Sequence, residues 1–487
     1  MNEKALNKKA FYVHLVIILF FFLGFGLLPE FSVVTRMGMQ VLGVFIGCIF
    51  AWACGYTTWV SVLGLIMLGL YTGQGVTAIM GGAYGSQTIL LVLFCLLFCY
   101  GIEQCGLLSV IAKRILSNNF CKGGPWCLAG AFWGAATVTS ALITNALPVV
   151  LLLWSIFYAV SEQLGLERYS PYSSIVLIGI TSNAYCGMIC MPYSTAGMMV
   201  FGIGAGVSPN LVFQPVPHSV FLSIMAALVL ATHIIFFKFV VRPQAGFQKI
   251  SSEIVRKEDT VIGKKQVFGI FFAGLLCLLL LIQALGPKTW VITQLLLAIG
   301  PVGIFALVNI LMCVTIFAGA PLMRLEKAMA EGIPWGLYFL LATAVILSNM
   351  VVAEGTGLSE ALSLTLNPLL NGKSLMLIAM IAVAFGVAVT NAINNMVCIN
   401  IFVPICTLLI VSQGGDPAVL LSLLTCVLFV GIVMPSGSVV GALCHGNSEW
   451  LKKKDVYKYA GMCAAIVAAV YALIGVPLGG VIYGLFV

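Results

Sequence analysis

Long apolar runs separated by short polar punctuation dominate the chain. The stretches Ile89 to Cys99 and Phe268 to Ile282 are apolar on every helical face, and Phe11 to Leu28 is a third long apolar run. They show neither the polar stripe of a soluble amphipathic helix nor the two-residue alternation of a membrane β-barrel. This pattern predicts an all-α polytopic membrane protein with about eleven spanning helices, each near the roughly 20 residues a bilayer requires. Two paired runs break the rule: Pro125 to Ile143 with Leu147 to Ala159, and Ser374 to Val389 with Val397 to Leu409. Their arms are short and meet at polar bends, which predicts two re-entrant hairpins whose tips lie deep in the bilayer.

The bends carry the same polar phrase twice. One reads Ser140-Ala141-Leu142-Ile143-Thr144-Asn145-Ala146, the other Thr390-Asn391-Ala392-Ile393-Asn394-Asn395-Met396. An amide at that depth is expensive unless something uses it. Further landmarks recur in the same order at a spacing of about 250 residues. Glu103-Gln104-Cys105-Gly106-Leu107 is followed by Glu354-Gly355-Thr356-Gly357-Leu358, Tyr84-Gly85 by Trp335-Gly336, and Met191-Pro192 by Met434-Pro435. With an odd number of crossings in each half, the second half enters the membrane in the opposite sense. That predicts two inverted repeats, the arrangement of secondary transporters. The chain divides into an N-terminal span (1–35), repeat 1 (36–241), a polar cytoplasmic linker (242–266) and repeat 2 (267–487).

Composition agrees: 61% of residues are hydrophobic, 8% are charged and the mean hydropathy is +1.13. With the N-terminus placed in the cytoplasm and the C-terminus outside, all of the 23 basic residues except Arg36, Lys288 and Lys373 fall on the cytoplasmic side. That is the positive-inside bias of a cell-membrane protein, so the net charge of +8 implies anionic lipid rather than nucleic acid as its partner. The first run is too long for a signal-peptide core and no cleavage site follows it, so it reads as a retained span. The 16 cysteines stand singly in apolar segments and read as small buried hydrophobes, without disulfide or metal spacing.

Downstream of each hairpin a helix is interrupted, at Pro192-Tyr193-Ser194-Thr195-Ala196-Gly197 and at Pro435-Ser436-Gly437-Ser438-Val439-Val440-Gly441. Proline removes a donor and glycine loosens the backbone, so amides and carbonyls are released there, which only a protein-lined cavity tolerates. With Leu42-Gly43-Val44-Phe45, Glu326-Lys327, Ile333-Pro334-Trp335-Gly336, Thr356-Gly357-Leu358 and Lys454-Asp455, these motifs resemble the divalent-anion sodium symporters, the INDY-type dicarboxylate and sulfate carriers of the ion transporter superfamily, over nearly the whole chain.

The resemblance implies a homodimer and an elevator mechanism, in which hairpins and broken helices move as one body past a scaffold. It also implies roles for residues. Ser140, Thr144 and Asn145 at one tip, and Thr390, Asn394 and Asn395 at the other, fall where that family binds sodium as a coupling ion. Asn145, Ala146 and Thr195, with Asn395, Met396 and Ser438, fall where it binds substrate. The departures matter: the family's Ser-Asn-Thr tips read Thr144-Asn145-Ala146 and Asn394-Asn395-Met396 here, and the Pro-Pro-Asn part of its broken helices is gone.

The expected function is therefore secondary active transport of a small organic anion, a C4-dicarboxylate or related carboxylate, by sodium symport. No cofactor is implied beyond sodium. Sodium suits neutral hard oxygens, and helix N-termini at the tips suit a carboxylate. The aspartates Asp259, Asp416 and Asp455 all lie away from the tips, which leaves carboxylate-based proton antiport without its usual carrier. An alternative keeps the fold but makes the protein a sodium-independent exchanger or a carrier of an inorganic oxyanion or monocarboxylate. A remote alternative is an intramembrane enzyme; the sequence has no His-Glu-x-x-His, no paired aspartates and no Ser/His constellation at one depth. Plainer readings also stand: the asparagines as helix caps, Ser140 and Thr390 bonding back to their own helix, the prolines as kinks, and His445 as an ordinary cavity-edge residue.

Overall fold

The computed structural model describes residues 8–106, 110, 111, 114, 123–143, 146–208, 210–244, 262–358, 360, 361, 364, 373–392 and 395–486. The chain is nearly all helical. Helix α1 (Lys8–Leu19) runs on through a π and a 3-10 turn to Leu27, and is followed by α2 (Arg36–Ala53), α3 (Thr58–Tyr71), α4 (Val76–Tyr84) and α5 (Gln87–Gln104). Next come α6 (Pro125–Ile143), α7 (Ala146–Leu164), α8 (Pro171–Met188), α9 (Thr195–Val207) and α10 (Pro215–Phe236). The second half contains α11 (Lys264–Leu285), α12 (Val291–Val314), α13 (Leu325–Glu331) and α14 (Trp335–Val352). It ends with α15 (Leu375–Ala392), α16 (Asn395–Ser412), α17 (Ala418–Val427), α18 (Val439–Gly446), α19 (Lys453–Val470) and α20 (Val476–Gly484). A two-stranded ribbon, Ile316–Phe317 with Ala320–Pro321, is the only sheet among the described residues.

Nine described helical segments are long and apolar enough to cross a membrane, and eleven if each of two bent pairs, α4 with α5 and α13 with α14, forms one span. The helix–bend–helix order expected of the hairpins is present at α6–α7 and α15–α16. Helix α6 has the expected bounds, and the other three arms are longer than the hydrophobic pattern predicted. Helix α7 continues to Leu164 because Ser161, Glu162 and Gln163 extend it past the apolar run, and α15 takes in Thr390 and Asn391, beyond the apolar arm expected to end at Val389. Length alone therefore does not separate a hairpin arm from a span here.

Helix α8 is the axis of the first half, with every residue from Tyr172 to Met188 buried. It starts sharply because Ser170 caps it, accepting from the Ser173 N–H at 3.1 Å, and Pro171 presets the first helical dihedral. Hairpin α6–α7 is fixed to it by large side chains. Trp133 Nε1 donates to the Val176 carbonyl (3.1 Å), Trp154 Nε1 to that of Leu177 (3.0 Å), and the Tyr172 hydroxyl to that of Pro125 (2.6 Å). Glycine sets how closely α6 and α8 approach: a Cβ on Gly179 would collide with the Trp133 ring, and one on Gly187 with the Thr137 backbone carbonyl.

On the opposite side α14 packs on α2, α3 and α4, while α5 packs on α12, which pairs with α11. Helix α9 touches both groups, packing on α5 and α14 as well as on α16 and α17. Two close contacts join the segment before α2 to the segment after α14. Thr35 Oγ1 donates to the Gly355 carbonyl at 2.6 Å, and Gly357, at φ 69°, sits where any Cβ would collide with the Val33 carbonyl.

Candidate functional site

Both broken helices resume in the same way. Ser194 opens α9, its hydroxyl accepting from the Gly197 N–H at 3.1 Å, and Ser438 opens α18 by accepting from the Gly441 N–H at 2.9 Å. The Ser-x-x-Gly cap is thus the repeated unit, and it pairs Ser194, not Thr195, with Ser438. Thr195, matched to Ser438 in the sequence alignment, is half-buried in the first turn of α9, where the second half has the exposed Val439. The first-turn N–H groups of such a helix start are the kind that can meet an anion.

The second tip is bound tightly to the interruption between α17 and α18. Thr390 Oγ1 donates to the Leu428 carbonyl at 2.6 Å. Asn391 Oδ1 accepts from the N–H groups of both Ile432 (2.9 Å) and Val433 (3.0 Å), while its Nδ2 donates to Val387 within α15 (2.8 Å). From the other arm the Asn395 N–H donates to the Gly437 carbonyl at 2.9 Å, and Ser438 Oγ donates to the Gly431 carbonyl at 2.6 Å. This is where the backbone groups freed by the break go, as buried amides and carbonyls must be satisfied. Glycine is required at 431, where a Cβ would stand 2.8 Å from the Thr390 carbonyl oxygen, and a Cβ on Gly437 would be tight at 3.1 Å from the same oxygen. Carbonyls of Thr390, Gly431 and Gly437 are thereby gathered at one place beside the N-terminus of α16.

The first tip is built differently. Ser140 is fully buried and its Oγ has no hydrogen-bond partner, although most buried hydroxyls find one. It does not bond back to its own helix, whereas its neighbour Thr139 does, to Ala135 at 2.5 Å. Ala146 opens α7 and is buried. Thr144 and Asn145 at this tip, and Asn394 at the other, lie outside the described residues. Asn395 is buried and Met396 half-buried, with Asn400 Nδ2 donating to the Met396 carbonyl at 2.7 Å.

Three contributors escaped the sequence reading of the site. Asn391 was visible inside the repeated phrase but reads there as a neighbour of the ligands, not as the residue that holds the unwound strand. Tyr185, in the last turn of α8, directs its hydroxyl at Ser438 and the Val440 backbone, and Thr181 Oγ1 lies 3.6 Å from the Cys444 thiol. The first broken helix thus meets the second, a contact that no local pattern signals. His445 Nε2 lies 2.9 Å from the Val433 carbonyl, on the same unwound segment. Among the described residues no group of three His, Cys, Asp or Glu could hold a metal ion.

Replacing Thr390 with Val keeps its shape and removes its bond to Leu428. We expect a loss of about 1 kcal/mol in stability, measured by thermal or denaturant unfolding in detergent. Transport should fall more than stability does, because the strand that closes the tip is released.

A family model described as citrate transporter (CitMHS) matches residues 48–431. Two solved structures share the fold. The YdaH transporter of Alcanivorax borkumensis superposes with a TM-score of 0.60 at 14% identity, over 91% of this chain and 98% of that one. MtrF of Neisseria gonorrhoeae, described as illuminating a class of antimetabolite efflux pumps, superposes with a TM-score of 0.53 at 15% identity, over 95% of this chain and 94% of that one. At such identities the likeness shows the fold alone. No curated protein sequence matches the chain.

Proposed function

The chain belongs to the citrate transporter (CitMHS) family, and from that premise we propose that this multi-pass membrane transporter carries a small di- or tricarboxylate coupled to sodium. The family description makes citrate the first candidate, and the C4-dicarboxylates read from the sequence belong to the same chemical class. The observation that carries this reading is the closure of the second tip on its broken helix. Thr390, Asn391, Asn395, Gly431, Gly437 and Ser438 assemble neutral oxygens and helix N-termini side by side. Neutral oxygens suit sodium without repelling an anion, and the N–H groups of helix starts suit a carboxylate. The unpartnered hydroxyl of buried Ser140 supports a second ion position at the first tip.

In this proposal Asn145 and Asn395 contact the anion, with Ala146, Thr195, Met396 and Ser438 around it. Ser140, Thr144 and Asn145 hold one sodium, and Thr390, Asn394 and Asn395 another. Each ligand raises the affinity of the other, because the cation offsets the charge that the anion brings into the membrane, and that reciprocity is the basis of symport. The two halves are taken as inverted repeats that move in elevator fashion within a homodimer.

The test is thermal stabilisation of purified protein by citrate, succinate, sulfate and lactate, each in sodium and in potassium salt. Stabilisation by a carboxylate in sodium only is the expected result; equal stabilisation in both salts removes the sodium part. Asn145→Ala and Asn395→Ala should each lower uptake into proteoliposomes at least tenfold while the protein stays folded. Unchanged uptake in both variants would show that the site lies elsewhere.

A further inference from the structure

A cavity of about 610 Å³ lies between α9 and the group formed by α5, α11 and α12. Its position follows from two helix breaks. Pro192, in the interruption before α9, lines it on one side, and Pro301 lines it on the other, one residue after Gly300 (φ 66°, ψ 175°) bends α12. Helices that bend at such points cannot keep side chains interlocked, and a gap opens.

The lining sets this cavity apart from the proposed anion site: none of Thr195, Asn395 or Ser438 lines it, and its walls are Leu91, Met198, Phe201, Leu280, Leu297 and Phe305. The only side chains in it that carry amides are Gln87, in the first turn of α5, and Gln283, near the end of α11. Leu297 and Val212, also in the lining, are 49% and 70% exposed. Leu297 lies about six residues into α12, roughly 9 Å along the helix from the turn that joins it to α11. That places it within a hydrocarbon leaflet roughly 15 Å thick. At that depth the surrounding medium is lipid chain, not water, and the volume falls in the range of roughly 300–1,000 Å³ typical of ligand pockets.

We propose that this cavity binds one acyl chain of a bilayer phospholipid, drawn from the leaflet on the side of the α11–α12 turn. The ester end of the lipid lies toward the Gln87 and Gln283 amides and the chain runs inward to Phe201 and Phe305. Because the same chain touches Pro192, the lipid occupies the gap between the first broken helix and α5, α11 and α12. This inference rests on the membrane fold and not on the anion or sodium reading.

The test uses the full chain reconstituted in phosphatidylcholine vesicles containing a phosphatidylcholine with a diazirine near the end of one acyl chain. After irradiation, cross-links are mapped by mass spectrometry. The expected result is labelling at Phe201, Leu280 or Phe305 that excess unlabelled lipid displaces. Filling the cavity by Gly202→Trp, or by the milder Ala205→Phe if the first variant does not fold, should lower that labelling at least tenfold. Labelling of the exposed residues Phe20 and Leu23, in the π turn after α1, serves as the unchanged reference. Labelling confined to exterior residues, or cavity labelling that survives in the filled variants, would overturn the proposal. So would labelling by a diazirine fatty acid but not by the phospholipid.

Discussion

Asn391→Ala should be the most damaging single substitution on the polar side of the site. One amide oxygen serves two backbone donors, Ile432 and Val433, at 2.9 and 3.0 Å. Alanine leaves both N–H groups without their partner, the Ile432 one buried and the Val433 one half-buried, and a buried unsatisfied donor costs about 1–3 kcal/mol. The two losses act on the same strand, so the expected destabilisation is about 2–6 kcal/mol. It should appear as a large fall in thermal midpoint in detergent, together with loss of uptake in proteoliposomes. Asn391→Asp, which keeps an acceptor at that position, should fold better than Asn391→Ala. If Asn391→Ala unfolds at the same temperature as the parent and transports normally, the strand from Leu428 to Ser438 is held by something other than this amide.

Gly187→Ala should be comparably severe for a steric reason. The added methyl would overlap the Thr137 carbonyl and press on the rest of that residue's backbone. Backbone inside a helix cannot swing aside as the end of a side chain can, so α6 and α8 must separate. Separation would break the Trp133 and Thr137 contacts that fix hairpin α6–α7 to α8. Overpacking typically costs about 1–3 kcal/mol, and a clash with backbone belongs at or above the top of that range. The measurement is the yield of monodisperse protein and its thermal midpoint. Gly134→Ala, on the same hairpin arm with nothing within 4 Å of the added carbon, is the control that should behave like the parent. Equal behaviour of the two alanine variants would refute the close approach of α6 and α8.

Much of the fold was legible because a bilayer makes strong demands on sequence. Runs such as Phe268 to Ile282 have no alternative to helix in lipid, where every backbone group must be satisfied internally. The two places where paired helices break were legible for the same reason, since polar groups such as those of Ser140 and Thr390 are conspicuous in apolar surroundings. Arm lengths were misjudged where polar helix formers continue a helix beyond its apolar part, as from Ala159 to Leu164. The match between the interruptions was legible too, but its register was not. Thr195 and Ser438 look alike as hydroxyls, while the cap geometry selects Ser194 and Ser438.

The sequence by itself determined a polytopic helical membrane protein, its duplicated polar phrases, the positions of its breaks and its family, because hydropathy and breaker residues act locally along the chain. Only the tertiary structure decided which groups satisfy one another at the breaks. Asn391 reaches Ile432 and Val433 across about forty residues of sequence, and Tyr185 of the first broken helix meets Ser438 of the second. The physical reason is that a buried backbone amide must find a partner but does not specify which one. That choice is made by how closely the helices pack, and here glycines at 187, 431 and 437 set the distance.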